Sequence, residues 1–201
     1  YKTFKAEAAA KGVNVVAAEA FTKDSAQDFT VQIQKMKESG ADLVFLPFYA
    51  QEASLFLTQA DKAGLDVQFF GCDGLDGLIG VENFDQSLAE GVMLLTPFNA
   101  DATDEKTQSF VTKYQELYGD VPNQFAADAY DCVYAYKAAL EASGATADMS
   151  AEELCDKMIE AFPTLTYDGL TGTGITWDST GAVSKTPKGM VIKNGAYVGM
   201  E

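Results

Sequence analysis

Apolar positions along the chain change period several times, and each change marks an element. Leu43-Val44-Phe45-Leu46 is a short, continuous, bounded apolar run, the pattern of a strand buried on both faces. Residues 51–63 then follow a helical period, with Leu55, Gln59 and Lys62 on one face and Phe56 and Ala60 on its neighbour, and Gly64 stops the helix. Val67-Gln68-Phe69-Phe70 is the next strand, ending in Gly71-Cys72-Asp73-Gly74. This order predicts a β-α-β unit with parallel strands and a right-handed crossover. Ligands of open parallel sheets bind at the carboxyl ends of the strands, where Tyr49 and Asp73 both fall. An aromatic ring beside a carboxylate suits a small molecule with an apolar part and a cationic part.

The same reading extends in both directions. Residues 2–11 read as a helix stopped by Gly12, Val13 to Ala18 as a strand, and Phe21 to Gln27 as a polar loop. Asp28 is placed to cap a helix over 29–39, in which Phe29, Ile33 and Met36 share a face and Gly40 ends the run. The Gly- and Asp-rich segment 74–91 has room for one short helix near 78–84, and Val92 to Leu95 forms a further buried strand. Helices follow over 104–118, with Phe110, Tyr114 and Leu117 inward, and over 124–143, with Ala126, Tyr130, Val133 and Tyr136 or Leu140 inward. A third, over 150–162, carries a capping box of Ser150 with Glu153. From Tyr167 the pattern becomes Gly/Thr-rich alternation, with a turn at 178–181 and a hairpin signal at Asn194-Gly195. These helices do not continue the strand-helix alternation, so they are expected to cover a sheet whose strands lie outside this chain.

Composition narrows the chemistry. The 201 residues hold 30 acidic and 14 basic side chains, a net charge of −16, with no His, and every basic residue is Lys. No basic face exists to neutralise phosphates, so nucleic acid is excluded as a partner, and phosphorylated ligands are disfavoured without Arg. Without His, neither a Ser-His-Asp or Cys-His catalytic group nor a His-ligated zinc site can form. Cys72, Cys132 and Cys155 are odd in number and widely spaced, which predicts buried thiols and neither a disulfide framework nor a metal site. Asp76 near Asp73 matches no calcium-loop spacing. No cofactor and no metal are expected. The chain opens inside a helical pattern, which suggests a fragment.

Four motifs in order carry a resemblance. Gly71-x-Asp73-Gly74 ends the β-α-β unit, and Glu90-Gly91-Val92 follows. Pro122-Asn123-x-Phe125-Ala126-Ala127-x-Ala129-Tyr130-Asp131 comes next, then Gly169-Leu170-Thr171-Gly172 with Ile175-Thr176-Trp177-Asp178-x-x-Gly181. Across essentially the whole chain this order resembles the type I periplasmic binding proteins, and among them the branched-chain amino acid receptors of ABC importers. The resemblance implies an α/β fold of two lobes, parallel sheets flanked by helices, that close on ligand. Residues 1–95 would be the second lobe lacking its first strand, 96–175 helices returning to the first lobe, and 176–201 a third crossing with the C-terminal hairpin. The N-terminal half of the first lobe would be a missing partner. Asp73 falls where the family pairs an acidic residue with the ligand's α-ammonium, although the branched-chain receptors carry Glu there. Tyr49 falls on the aromatic lining the ligand from the second lobe, and Phe125 on the hinge-side aromatic that meets the ligand side chain.

Each residue also has a plainer reading. Asp73 can cap a helix, Tyr49 can cover a sheet edge, Phe125 can be core, and Glu52 and Asp131 read as solvated or capping groups. The resemblance implies an extracytoplasmic, non-enzymatic solute-binding protein, periplasmic or tethered as a lipoprotein, delivering an apolar amino acid to a membrane permease. An amino-acid or amide sensor of the same fold is the alternative. A flavodoxin-like enzyme would need a phosphate-cradling loop or an acid/base pair, and neither is present.

Overall fold

The computed structural model describes residues 1–200, and the chain separates into two compact units. The first comprises Tyr1–Leu94 with Val191–Tyr197; the second comprises Leu95–Met190 and the last residues from Val198.

In the first unit, helix α1 (Lys2–Ala10) precedes an extended segment, and α2 (Thr30–Ser39) ends at Gly40, whose φ of 66° gives the left-handed stop that the sequence predicts. The helix starts at Thr30, one residue later than expected, so its N-cap residue is Phe29 and not Asp28; Asp28 lies just outside the helix and accepts the Thr30 N–H at 2.9 Å. Strand β1 (Leu43–Leu46), helix α3 (Ala50–Lys62) and strand β2 (Gln68–Gly71) form the expected β-α-β unit. The strands are parallel, with Leu43 opposite Gln68 and Leu46 opposite Gly71. Strand β3 (Met93–Thr96) pairs in parallel with β2. Strands β4 (Lys188–Lys193) and β5 (Ala196–Gly199), joined through Asn194 and Gly195 at φ 52° and 72°, complete the order β1-β2-β3-β4-β5. Two successive positive φ angles are what a two-residue hairpin turn of matching twist requires.

The core of this unit is aromatic. Phe29 and Phe56 are fully buried, and Phe21, Phe29, Phe48 and Phe56 interlock at centroid separations of 4.8–5.8 Å, mostly edge to face. Phe21 thus leaves the polar loop assigned to it. Residues 13–18 are extended but not a strand: Val15 and Ala17 are half-buried while Val13 and Val16 are exposed. The two-residue period survives, but a strand also needs a ladder partner, and none is present among the described residues. Strand β1 is buried on one face only. Val44 and Leu46 are inside, Leu43 is exposed, and Phe45 is half-covered by Phe4 stacked at 4.8 Å. The single short helix expected near 78–84 is instead a series of 3₁₀ turns at Asp73–Leu75, Leu78–Gly80 and Gln86–Ala89.

The second unit is built from α4 (Glu105–Tyr118), α5 (Gln124–Ser143) and α6 (Ala151–Ala161). Each starts at a side-chain cap: Asp104 takes the Thr107 N–H, Asn123 that of Ala126, and Ser150 forms the predicted reciprocal box with Glu153. The inner face of α5 differs from expectation. Gln124, Ala127, Asp131, Ala135 and Ala139 are buried, whereas Val133 and Tyr136 are exposed. Small residues let the helix approach closely, so the larger ones are turned outward. Leu117 is also exposed, at 74%. Cys132 follows Asp131 on the outer side of α5, and Cys155 is exposed on α6; only Cys72 is half-buried. Three buried thiols were expected, but a helical cysteine shares the exposure of its helix face whatever its own preference.

Candidate functional site

Strands β1 and β2 deliver their carboxyl ends side by side, and the chain turns differently at each. After β1, Tyr49 takes extended backbone angles as the N-cap residue of α3 and is 70% exposed. After β2, Cys72 is extended and Asp73 begins a 3₁₀ turn with its side chain exposed. The two loops touch through Gly74. A Cβ there would run into the Phe48 carbonyl oxygen and lie 3.4 Å from Cδ1 of Tyr49. Glycine is therefore required for these strand ends to meet, and it brings Tyr49 beside the turn that carries Asp73. The structure thus brings together the first two residues singled out from sequence. Phe125 belongs to the second unit, at the start of α5, and is 45% exposed.

Electrostatics here is set by carboxylates. Burial, and then the charge of Asp73, push the Cys72 thiol up, so it stays protonated. Glu52, in the first turn of α3, keeps Oε2 buried without a hydrogen-bond partner among the described residues, which costs about 1–3 kcal/mol for a lone buried acceptor. It was read from sequence as a solvated or capping group, and no motif marks it; only packing at the helix start encloses that oxygen. The Asp73 loop is also held by Tyr197 on β5, whose hydroxyl accepts the Gly77 N–H at 2.9 Å. No local sequence signal links residues 120 positions apart.

In the second unit, Asp131 corrects another expectation. It is 5% exposed and accepts from Leu170 N (2.8 Å), Thr171 N (2.8 Å), the Thr171 hydroxyl (2.7 Å) and the Tyr167 hydroxyl (3.3 Å). A Cβ on Gly169 would strike this carboxylate. Burial, followed by the Asp131 charge, raises the Tyr167 phenol well above its ordinary range, so Tyr167 remains a donor. Asp131 is a staple between α5 and the 167–171 loop. Its place in the 124/127/131/135/139 stripe is the pattern that identifies it. A cavity of about 470 Å³ in this unit is lined partly by Asp104, Thr107, Lys185 and Lys188, but Lys185 already pairs with Asp128 at 2.6 Å. Among the described residues, no group of three or more His, Cys, Asp or Glu is placed to hold a metal ion. No helix among them is long and apolar enough to cross a membrane.

A parallel α/β sheet with an exposed aromatic and an exposed carboxylate on adjacent carboxyl ends has the layout of an open α/β ligand-binding fold. Residues 1–196 match the family model described as periplasmic binding protein, and the chain belongs to that family. It is 28% identical over 146 residues to a leucine-, isoleucine-, valine-, threonine- and alanine-binding protein of Pseudomonas aeruginosa, covering 73% of this chain and 37% of that protein. Among solved structures, a leucine-binding protein of Thermotoga maritima superimposes with a TM-score of 0.82 at 24% identity, over 100% of this chain and 55% of that one. A branched-chain amino acid transporter substrate-binding protein of Streptococcus pneumoniae, solved with isoleucine, gives 0.78 at 26% identity over 98% and 55%. The chain thus spans about half the length of these solved relatives and about a third of the curated one.

Proposed function

We propose that the chain is part of an extracytoplasmic solute-binding protein that captures an apolar, branched-chain α-amino acid for an ABC importer. The observation that carries this reading is the pairing of exposed Tyr49 with exposed Asp73 on touching loops at the carboxyl edge of a parallel sheet. Asp73 pairs with the ligand's ammonium and Tyr49 covers its apolar side chain. Phe125 supplies a further apolar contact, a role supported by its partial exposure in the first turn of α5. A carboxylate–ammonium contact is worth about 1 kcal/mol in bulk water and several times that where water is excluded. Binding is therefore strongest in a closed state, and ligand acts by shifting the population toward it. Residues 1–95 form most of one lobe, 96–175 are helices returning to the other, and 176–201 cross back. The exposed apolar side chains Val133 and Tyr136 of α5 receive the N-terminal half of that other lobe. The protein works in the periplasm or as a membrane-tethered lipoprotein, and its closed form is recognised by a membrane permease.

The test is a thermal-shift panel of the twenty amino acids on this chain and on a form extended at its N terminus, each with and without Asp73→Ala. Ligand at a hundredfold its dissociation constant adds about 2.7 kcal/mol, a shift of several degrees. A shift with Leu, Ile or Val that disappears in the variant is the expected result. A flat panel on the extended form ends the amino-acid reading.

A further inference from the structure

The loop that carries Asp73 has little to hold it in its own backbone. Residues 72–80 hold two three-residue 3₁₀ turns separated by Asp76 and Gly77, the latter at φ 95°. Their internal bonds, Leu75 N–H to Cys72 O at 3.1 Å, Asp76 N–H to Asp73 O at 3.0 Å and Gly80 N–H to Gly77 O at 3.0 Å, close each turn without joining them. Short 3₁₀ turns have poor hydrogen-bond geometry and do not persist alone.

The joining group comes from the other end of the sequence. Tyr197, on β5, places its hydroxyl between the two turns. It accepts from Gly77 N at 2.9 Å and Ile79 N at 3.5 Å, and donates to Leu75 O at 3.3 Å. One oxygen thereby ties the last residue of the Asp73 turn to the start of the next. Burial, with a smaller contribution from the Asp76 charge, pushes the phenol up to about 12, so it remains a neutral donor and acceptor at physiological pH.

The hairpin bearing Tyr197 is itself fixed to this unit. Ile192 is fully buried and exchanges bonds with Gly91 and Val92 at 2.8 and 2.9 Å, while Asn194 N–H donates to Glu90 at 2.8 Å. Gln86 holds the far end of the loop through Ile79 O at 2.8 Å, and Gly74 seats its near end on the Phe48 carbonyl. The loop is thus seated at both ends, and the Tyr197 hydroxyl bridges its two turns.

We infer that Tyr197 is a positioning residue for ligand recognition. Through Leu75 and Gly77 it fixes the direction of the Asp73 carboxylate, so that the C-terminal hairpin helps select the ligand's ammonium group without touching it. This rests on the assignment of Asp73 as ammonium partner above. A hydroxyl that only stabilised the fold would affect all ligands alike. One that aims Asp73 affects only ligands carrying the ammonium.

The experiment compares L-leucine with 4-methylpentanoate, the same carbon chain without the amino group, by calorimetry on the N-terminally extended form and its Tyr197→Phe variant. Tyr197→Phe is expected to weaken L-leucine about three- to tenfold, the scale of one lost hydrogen bond, and to leave 4-methylpentanoate unchanged. Equal weakening of both ligands, or of neither, overturns the inference. Amide hydrogen exchange on the unliganded protein decides the structural half independently. Acceleration confined to residues 73–80 in Tyr197→Phe supports the proposal, and unchanged exchange there overturns it. If the unmodified protein binds no amino acid, the assignment of function fails, and the exchange result alone then decides whether Tyr197 holds the loop.

Discussion

Two aspartates divide the molecule. Asp73 stands exposed at the end of a strand in the first unit, on a loop of short turns held in place by residues distant in sequence. Asp131 lies buried on a long helix in the second unit, with both oxygens engaged by its own chain. The residue type is the same, but the backbone around it is arranged for opposite ends. Around Asp131, two backbone N–H groups and two hydroxyls converge on one carboxylate and leave it no access to a solute. Around Asp73, distant residues hold the loop, and the side chain stays at the surface. Whether an acidic side chain is enclosed or exposed thus depends on how the surrounding backbone packs.

Removing the two carboxylates in turn tests this contrast most directly. Asp131→Ala strands two buried N–H groups and is expected to cost about 3 kcal/mol or more, read as a loss of denaturant midpoint at unchanged slope. Gly74→Ala drives a methyl into the Phe48 carbonyl; an overpacking cost of about 1–3 kcal/mol and weaker leucine binding are expected together. Ser150→Ala, which touches neither aspartate, should cost about 1 kcal/mol through the lost cap and leave binding intact. Asp73→Ala should shift the stability of the unliganded protein by no more than about 0.5 kcal/mol, as befits an exposed side chain, while abolishing the ligand-induced thermal shift. A large loss of stability from Asp73→Ala would make the two aspartates alike and remove the contrast.

Acidity offers a finer comparison. Hydrogen bonds from Thr107 hold the Asp104 carboxyl below its ordinary range, and bonds from Ser150 do the same for Glu153. A carboxyl depressed in the folded state adds stability that is present above its unfolded value and is lost as pH falls through the folded one. The N-terminal turns of α4 and α6 should therefore loosen on acidification below the ordinary carboxylate range. Hydrogen exchange at Thr107 and Glu153 amides against pH would follow this, and Asp104→Asn should flatten the response at Thr107.

Periodicity along the chain was enough for the β-α-β unit, the bounds of α5, the Ser150 box and the Asn194-Gly195 hairpin, because each depends on residues within a few positions of one another. It also placed Tyr49 and Asp73 at neighbouring strand ends, since successive strands joined by one helix usually lie side by side, as β1 and β2 do. What it misjudged depended on partners far along the chain. Val13 to Ala18 has strand alternation but no neighbour to pair with, and the small residues of α5 outrank its large ones because close helix approach, not residue size, sets the inner face. Glu52, Asp131 and Tyr197 carry no local mark of their roles. A convergence of N–H groups on Asp131 and a hydroxyl bridging two turns exist only once segments 40 and 120 residues apart are packed together, and the Glu52 oxygen is enclosed only by packing, so only the tertiary structure could decide them.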